Sequence, residues 1–550
     1  MSLMRNLFAT LLMGLCLSGQ ATLAQAASAT SLPDPVRDAL RRAKIPLSGV
    51  GIVVQKTGAQ TPLLSQNARQ PMNPASTMKL LTTFAALETL GPAYRWKTEV
   101  YLDGVLENGV LQGNLVFKGY GDPKLNIEQF WMWLRELRQR GLREIRGDIV
   151  LDCSFFEAGA HDPADFDSDP TRAYNVGPNA LLLNFNALRL RLIPNATQPG
   201  ALLEPDLSGY MIDNQIKSSP KQPCKGGDTY SARLEERSIV LEGTMPLDCG
   251  EAEDYFSLLP HSEYFFAVFK SLWQELGGTL QGKLREGNVP PEQAAFATHY
   301  SPPLSEVIRD INKFSNNIMA RQLFLTLGTM PAANDFTSSL CEPVLQSRAT
   351  MSVLDTPPSA MANPGNATPA KPDTELAKPD TELTMSGTEL AKPDTGFASS
   401  TDAQPPRCDP SASIARSTAA MQQWLVGKKL QIPELVLENG SGLSRAERIS
   451  PQSMAELLQR ATRSPFSAEL VASLPILGMD GTLKKRFKDS EIVGYAHLKT
   501  GMLEGVKSLA GYVQANSGEQ WVVVFIINHP NAKHGQAAQD ALIEWVQKRH

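Results

Sequence analysis

Similar strand and helix patterns at the two ends of the chain place the strongest constraint on its fold. Residues 49–55 form a mostly apolar stretch typical of a buried strand, and residues 506–514 and 521–528 repeat this pattern near the C-terminus. Residues 537–548 follow with apolar side chains at helical spacing, which indicates an amphipathic helix. We therefore expect one domain whose sheet is completed by both ends of the chain, with the intervening residues looped out of it.

The intervening region is dominated by short strands. The predicted strands are residues 97–102, 113–118, 147–152, 187–192 and 238–242. A single helix is predicted among them, at residues 128–140. Helical periodicity returns after this region, at residues 304–327 and again at residues 414–427.

These patterns predict an α/β (α+β) fold in which helices pack on an antiparallel sheet, with a large β-rich insertion of one or two domains. The predicted boundaries are residues 27–95 for the first part of the main domain, 96–289 for the insertion and 290–550 for the second part.

Residues 331–411 differ from the rest of the chain because they are rich in Pro, Thr, Ser and Ala. The heptapeptide Ala-Lys-Pro-Asp-Thr-Glu-Leu occupies residues 370–376 and again residues 377–383. A coiled coil is excluded, because each intact unit places a proline where the helix interior would be. We expect a disordered insertion that is looped out between Cys341 and Cys408.

The first 26 residues are typical of a cleavable signal peptide. Arg5 supplies the positive charge, residues 7–17 form the apolar core, and Ala24-Gln25-Ala26 is a suitable cleavage site. This apolar run is too short to cross a bilayer, and no later apolar run approaches the roughly 18 residues that a span requires. We therefore expect a mature protein in the periplasm with no integral membrane span.

Charge and cysteine spacing argue against several classes of partner and cofactor. The net charge of −5 argues against nucleic acid, whose binding needs basic clusters. The six cysteines contain no Cys-x-x-Cys pair and the seven histidines no His-x-x-x-His pair, so neither a metal nor a cofactor is expected. In an oxidising compartment the predicted disulfides are Cys224–Cys249 and Cys341–Cys408, which leaves Cys153 free.

Ser76 and Lys79 form the first chemically informative pair. Asn73 is predicted to cap a helix on which Ser76 and Lys79, three positions apart, share one face. A serine hydroxyl needs a base before it can act as a nucleophile, and a buried lysine beside another cation can be that base. The pair alone is a weak signal, since Ser218 and Lys221 have the same spacing in a polar loop.

Two later motifs strengthen this signal. Ser315 and Asn317 form a Ser-x-Asn motif within the stretch of helical periodicity after the β-rich block, and Lys499-Thr500-Gly501 precedes the strands near the C-terminus. Ser-x-x-Lys, Ser-x-Asn and Lys-Thr-Gly in this order are the signature of penicillin-binding proteins and serine β-lactamases.

With these motifs the chain resembles the class C low-molecular-mass penicillin-binding proteins, which are D-alanyl-D-alanine carboxypeptidases and endopeptidases of the cell envelope. The 239 positions from Ser76 to Ser315 match the long spacing of this family, whereas serine β-lactamases keep the motifs closer together. The resemblance covers nearly the whole mature chain outside residues 331–411. Besides the three motifs, the stretches that carry it are Gly119-Tyr-Gly-Asp-Pro-Lys-Leu125, Gly147-Asp-Ile-Val-Leu-Asp152, Asn439-Gly-Ser-Gly-Leu-Ser-Arg445, Asp480-Gly-Thr-Leu483 and Leu509-Ala-Gly-Tyr-Val513.

The resemblance implies three catalytic residues. Ser76 would attack the carbonyl between two D-alanines, Lys79 would take the proton of Ser76, and Ser315 would relay a proton towards the leaving amine. The implied partners are peptidoglycan stem peptides as substrates and β-lactam antibiotics, which would acylate Ser76.

The resemblance also implies a set of substrate-binding residues: Asn317, Lys499, Thr500, Gly501, Met502 and Asp169. Lys499 and Thr500 would hold the terminal carboxylate of the substrate. The backbone N–H groups of Ser76 and Met502 would form the oxyanion hole. Asp169 would bind the side-chain amine of the peptide stem. Family members often have Thr or Ser where this chain has Met502, so one side-chain contact with the carboxylate is missing.

Two other functions stay open. A serine β-lactamase is opposed by the long motif spacing and by the lack of a Glu-x-x-Leu-Asn motif. A catalytically weak wall-binding scaffold is opposed because a pure binder has no need to keep all of the motif residues. The sequence leaves open the balance between carboxypeptidase and endopeptidase activity, and also the oligomeric state, a homo-oligomer included.

Overall fold

The computed structural model describes residues 31–157, 159–219, 230–290, 292–330 and 411–550, all within one of the two units of the chain. The predicted signal peptide lies outside the described residues, and so do residues 331–410 of the predicted insertion.

The secondary structure of the described residues consists of 21 strands and ten α-helices, besides short 3₁₀ turns. The strands are β1 (Val50–Lys56), β2 (Leu64–Gln66), β3 (Lys97–Glu107), β4 (Val110–Gly119), β5 (Glu144–Ile145), β6 (Ile149–Asp152), β7 (Phe156–Glu157), β8 (Leu188–Ile193), β9 (Gly200–Glu204), β10 (Met211–Asn214), β11 (Lys217–Ser219), β12 (Tyr230–Glu235), β13 (Ser238–Pro246), β14 (Ala252–Phe256), β15 (Thr279–Leu280), β16 (Leu284–Glu286), β17 (Ala297–Tyr300), β18 (Ala412–Ser413), β19 (Ala496–Leu503), β20 (Val506–Gln514) and β21 (Gln520–Asn528). The helices are α1 (Asp34–Arg42), α2 (Lys79–Leu90), α3 (Ile127–Gln139), α4 (His261–Glu275), α5 (Leu304–Lys313), α6 (Asn317–Leu327), α7 (Ile414–Gly427), α8 (Pro451–Ala461), α9 (Ser467–Ser473) and α10 (Gln536–Gln547).

A five-stranded sheet with the order β19-β20-β21-β1-β2 joins the two ends of the described chain. All of its neighbouring strands are antiparallel. Strand β1 pairs with β21 in a register that runs from Val50 opposite Ile527 to Lys56 opposite Trp521. This pairing confirms that both ends of the chain complete one sheet, and it leaves β19 as an edge strand.

Alternating apolar side chains bury both faces of this sheet. On one face Ile52, Leu509 and Phe525 share a core with helices α1 and α10. On the other face Ala510 and Val524 share a core with helices α2, α6 and α8. Each fully buried side chain of this size, apart from alanine, contributes about 1.5–3 kcal/mol. The arrangement confirms the predicted fold class, in which helices pack on an antiparallel sheet.

The β-rich region contains a seven-stranded sheet with the order β15-β5-β4-β3-β17, in which β6 pairs with both β4 and β16. Helices α3 and α4 pack against it through aromatic side chains: the Phe117 ring of β4 contacts Phe130, Trp133, Phe265 and Phe269. Smaller sheets form around β13 and around β8.

The prediction of a single helix in this region is wrong, because α4 is a second one among the described residues. Seven of its side chains are buried, including Tyr264, Phe265, Phe269 and Trp273. Aromatic residues are enriched in strands, and burial on more than one side spreads apolar residues beyond a single helical stripe. The helical spacing of Phe265, Phe269, Leu272 and Trp273 is therefore masked by the other apolar residues between them.

The helical stretch predicted over residues 304–327 is interrupted at residues 314–316. Ser315 has a φ of 59°, which is incompatible with helix, and the Asn316 side chain caps α6 by accepting a hydrogen bond from Met319 N at 3.0 Å. The apolar period runs through the break, so periodicity alone does not indicate it. Because of this break, the Ser-x-Asn motif lies in a turn between two helices and not on the face of one continuous helix.

The Lys-Thr-Gly motif precedes β20 and β21, as predicted, and it lies within a further strand, β19, at the edge of the sheet. The prediction that Cys153 is free is confirmed. Cys249 is disulfide-bonded. Its predicted partner Cys224 and the predicted Cys341–Cys408 pair lie outside the described residues, so both pairings stay predictions.

Candidate active site

Ser76 lies in a tight turn that precedes a helix. The predicted helix start at Asn73 is wrong, because Ala75–Met78 form a 3₁₀ turn and α2 begins only at Lys79. Ala75 has a φ of 46°, and the Asn73 side chain accepts a hydrogen bond from Ala75 N at 2.8 Å. Asn73 therefore fixes the turn itself and does not cap α2.

The C-terminal strands hold this turn in place. The Asn528 side chain at the end of β21 accepts a hydrogen bond from Asn73 N at 2.7 Å and donates one to Asn73 O at 3.0 Å. The Ser508 hydroxyl of β20 donates a hydrogen bond to Pro74 O at 2.5 Å. The position of Ser76 thus depends on residues near the other end of the chain.

Lys79 is completely buried and touches Ser76. Its Nζ lies 3.1 Å from Ser76 Oγ and donates hydrogen bonds to Asn317 Oδ1 at 2.6 Å and to Ser441 O. Burial and, to a lesser extent, the charge of Lys499 hold the pKa of Lys79 well below its usual value. A neutral lysine can therefore stand beside the Ser76 hydroxyl.

Lys499 and Ser315 form a second serine–lysine pair. Lys499 Nζ donates hydrogen bonds to Ser315 Oγ at 2.8 Å and to Thr500 O at 2.7 Å. Burial lowers the pKa of Lys499 to about 7. The positive φ of Ser315 directs its hydroxyl towards β19, which explains why the motif needs a break between two helices.

Replacement of Lys499 by methionine is expected to stabilise the fold at neutral pH. Between about pH 7 and about pH 10.4 the unfolded wild-type chain holds the Lys499 proton more tightly, so wild-type stability rises with pH over this window. Lys499→Met removes this cost and raises the free energy of unfolding by about 2 kcal/mol at pH 7, less at pH 9.5. Urea unfolding at both pH values measures this difference. A variant that is less stable than wild type at pH 7 contradicts the expectation.

A cavity of about 590 Å³ connects most of the predicted site residues. Those that line it are Ser76, Ser315, Asn317, Thr500, Gly501 and Met502. Lys79 and Lys499 are buried and reach it through their hydrogen bonds to Ser76 and Ser315. The structure thus brings eight of the nine predicted residues to one place.

Asp169 is the ninth residue, and it does not line this cavity. Its carboxylate accepts hydrogen bonds from Thr171 Oγ1 at 2.7 Å and from Arg172 Nε at 2.8 Å. Phe166 and Tyr174, from either side of it in sequence, do line the cavity. The role of Asp169 in binding an amine stays a prediction.

Glu447 is a residue of the site that sequence reasoning does not identify. It is fully buried, and its Oε1 accepts hydrogen bonds from the backbone N–H groups of Glu438, Asn439 and Gly440 at 3.3, 3.1 and 3.0 Å. These bonds shape the loop whose Ser441 carbonyl accepts the Lys79 hydrogen bond. The feature of the sequence that could identify Glu447 is an acidic residue that follows a glycine-rich turn.

This glycine-rich loop also approaches the nucleophile turn directly. Gly442 has a φ of 80°, and a Cβ at this position would lie 2.0 Å from Ala75 O. Only a glycine fits both this backbone conformation and this close approach. The loop therefore forms one wall behind Ser76 and Lys79.

The fold and the site together define a class. A nucleophile turn fixed to an antiparallel sheet, a buried lysine beside its serine and a second serine–lysine pair on the edge strand are typical of penicillin-binding serine hydrolases. The sequence matches the D-Ala-D-Ala carboxypeptidase 3 (S13) family over residues 34–356 and 407–549. The chain belongs to this family.

Curated relatives resemble the chain over most of its length. It is 23% identical over 486 residues to D-alanyl-D-alanine carboxypeptidase DacB of Haemophilus influenzae, covering 88% of this chain and 85% of the relative. It is 24% identical over 514 residues to D-alanyl-D-alanine carboxypeptidase of Actinomadura sp., covering 90% of this chain and 80% of the relative.

A solved structure shows the same fold. The crystal structure of penicillin binding protein 4 from Haemophilus influenzae matches with a TM-score of 0.64 and 21% sequence identity. The match covers 92% of this chain and 99% of that one.

Neither a membrane-spanning helix nor a metal-binding cluster occurs among the described residues. Among them, no helix is both long enough and apolar enough to cross a membrane. In the same part of the chain, no group of three or more His, Cys, Asp or Glu side chains could hold a metal ion.

Proposed function

We propose that this protein is a periplasmic serine D,D-peptidase that cleaves D-alanyl-D-alanine bonds, D-alanyl-diaminopimelate cross-links or both in peptidoglycan. The reaction proceeds through an acyl-enzyme on Ser76, which β-lactams also form. The observation that carries the proposal is the 3.1 Å contact between Ser76 Oγ and the buried Lys79 Nζ at the wall of an open cavity. The chain belongs to a family of D-Ala-D-Ala carboxypeptidases, which identifies the D-alanyl-D-alanine bond as the one that is cleaved.

Lys79 acts as the general base for acylation. Burial and the charge of Lys499 keep its amine neutral, so the Nζ lone pair can accept the Ser76 proton. The Ser76 Oγ forms a bond to the carbonyl carbon as its proton moves to Lys79. Asn317 Oδ1 holds Lys79 in place and leaves the Asn317 amino group to donate to a substrate carbonyl.

Ser315 and Lys499 act on the leaving group of the reaction. Lys499 donates a hydrogen bond to Ser315 Oγ and holds this hydroxyl in place. As the carbon–nitrogen bond breaks, the Ser315 proton passes to the amine nitrogen, and the proton that Lys79 took from Ser76 replaces it on Ser315, which leaves Lys79 neutral again. Lys499 and Thr500 also bind the carboxylate of the residue that leaves. Water then attacks the ester carbon, and Ser76 regains its proton as the shortened peptide departs.

Gly501 leaves room for the oxyanion hole. A Cβ at this position would lie 2.8 Å from Ser76 N and 2.3 Å from Ser508 Oγ. Without a side chain there, the N–H groups of Ser76 and Met502 can both point at the developing oxyanion. One donor of this kind typically accounts for about 10²–10³-fold in rate.

Location and domain organisation extend the proposal. Residues 1–26 act as the cleavable signal peptide that exports the chain to the periplasm, where its substrate is found. Residues 27–95 and 290–550 form the catalytic domain, and residues 96–289 form an insertion of one or two domains. The Phe166 and Tyr174 side chains, which line the cavity, come from this insertion.

The intact mass of the purified mature protein after incubation with benzylpenicillin tests the proposal. We expect one adduct per chain, slow decay of that adduct, and no adduct on a Ser76→Ala variant. Release of D-alanine from a peptide ending in D-Ala-D-Ala should disappear in the same variant.

The other outcomes identify the alternatives. Rapid destruction of the drug without an accumulating adduct would make the protein a β-lactamase. Neither an adduct nor drug turnover, in protein shown by circular dichroism to be folded, would make it a wall-binding scaffold.

A further inference from the structure

The cavity that contains Ser76 continues past Met502 to a polar wall. Four side chains form this wall: Arg486, Lys507, Gln536 and Gln539. None of them belongs to the three sequence motifs. We refer to these four residues as the polar wall.

Strand register places the polar wall beside the carboxylate end of the site. Lys507 of β20 lies opposite Met502 of β19, and Thr500 is two residues before Met502. Side chains two residues apart on a strand point to the same face, so Thr500 and Lys507 share a face as diagonal neighbours. Such neighbours have Cα atoms about 7–8 Å apart, within reach of a lysine side chain.

Gln539 is the first sign that the polar wall binds a ligand. It is 1% exposed, and among the described residues neither its amide oxygen nor its amide nitrogen has a hydrogen-bond partner. A buried polar group left unpaired costs about 1–3 kcal/mol. An amide that lines an open cavity can recover this cost when a bound ligand supplies hydrogen-bond partners. The amide nitrogen, for example, can donate a hydrogen bond to a ligand carboxylate.

Charge is the second sign. Arg486 is mostly buried and forms an ion pair with Asp540, in which Arg486 Nε donates to Asp540 Oδ1 at 2.9 Å. Lys507 is half-buried and has no ion pair among the described residues. Burial and, after it, the nearby Arg486 lower the pKa of Lys507, whereas Asp540 raises it. Arg486 and Lys507 thus share the single carboxylate of Asp540, and a bound anion would favour the charged form of Lys507.

We propose that Lys507 and Gln539 form a second carboxylate-binding element. They bind the carboxylate of the residue that is released, and they approach it from the side opposite to Lys499. This inference rests on the proposed function, because it assigns the ligand chemistry of the same cleft. Arg486 acts behind it as a positioning residue that keeps Lys507 turned towards the cavity.

The proposal explains how the site works without a hydroxyl at position 502. Met502 offers no side-chain hydrogen bond, and its side chain is 67% exposed. Lys507 is a cation of this cavity that is not engaged in an ion pair among the described residues, so it can supply the contact with the carboxylate that Met502 lacks.

Acylation by benzylpenicillin and by its methyl ester provides the test, because esterification removes the negative charge of the carboxylate. We expect Lys507→Met to slow acylation by benzylpenicillin by about 10–100-fold and acylation by the ester by less than about twofold. Gln539→Leu should show the same selectivity with a smaller loss, of about fivefold. Lys507→Arg should retain the wild-type preference for the acid.

Lys488→Met is the matched control, since Lys488 is exposed and does not line the cavity. It should leave both rate constants unchanged. If both variants of the polar wall keep the wild-type ratio of acid to ester, the second carboxylate-binding element is disproved. If wild-type Ser76 accepts neither compound, the proposed function fails first, so the two failures are distinguishable.

Discussion

Replacement of Lys79 by methionine is expected to slow the acylation of Ser76 by about 10³-fold. Methionine fills nearly the same buried volume but has no lone pair that can take a proton at this position. Ser76 then loses its contact with a base, and its hydroxyl must react with the proton still attached. Time-resolved mass spectrometry with benzylpenicillin measures this rate directly.

A second substitution separates the base from the cation. Lys79→Arg keeps a positive charge, but a guanidinium does not lose its proton in proteins. We therefore expect this variant to be as slow as Lys79→Met. If Lys79→Arg instead restores acylation to within about tenfold of wild type, Lys79 acts as a fixed charge and some other group is the base.

Replacement of Glu447 by alanine is expected to lower the free energy of unfolding by about 3–5 kcal/mol. The carboxylate accepts three backbone hydrogen bonds within the protein, and alanine leaves all three N–H groups buried without a partner. The Glu438–Gly440 segment should then relax and carry the Ser441 carbonyl away from Lys79. Acylation of Ser76 should slow as well, since Lys79 would lose one of its three anchors.

Glu447→Gln is the matched control for this prediction. Glutamine keeps one oxygen for the three N–H groups and replaces only the second oxygen, which has no hydrogen-bond partner in the described part of the chain. We expect a loss of about 1 kcal/mol and a nearly intact loop. Denaturant unfolding of both variants decides the matter. Equal losses in the two variants would show that charge, and not the hydrogen bonds to the loop, stabilises this part of the site.

The local part of the site can be predicted from sequence because it depends on short spacings. Ser76 and Lys79 are three positions apart, and the turn between them places Lys79 Nζ 3.1 Å from Ser76 Oγ. The C-terminal strands can also be predicted from the sequence. Residues 506–514 are mostly apolar, and β20 has the same bounds as the predicted strand. Both features are decided by neighbours along the chain.

The long-range part of the site enters the sequence argument only through resemblance to a family. Lys499 and Ser315 are 184 positions apart, yet their side chains are joined by a hydrogen bond of 2.8 Å. Neither periodicity nor composition encodes such a contact. Three motifs in a known order supply it, because relatives with the same order fold in the same way.

Other features of the site cannot be predicted because tertiary contacts override ordinary preferences. Acidic and amide side chains are usually exposed, whereas Glu447 and Gln539 are buried. A positive φ is rare outside glycine, and Ser315 adopts one inside an unbroken apolar period. Only the packed molecule shows that Ser315 and Gln539 line the same cavity and that Glu447 supports the loop behind Lys79.

The strand order of the main sheet also sets the moment at which activity can arise. Ser76 and Lys499 are separated by 423 positions (76 to 499), and the turn around Ser76 is held by Asn528 at the end of β21. At about 5–20 residues per second, a ribosome adds Lys499 roughly 20–80 s after Ser76. Throughout this interval the growing chain carries its nucleophile without the strands that position it. A D-Ala-D-Ala carboxypeptidase of this family is thereby kept inert until strands β19 to β21 have been synthesised.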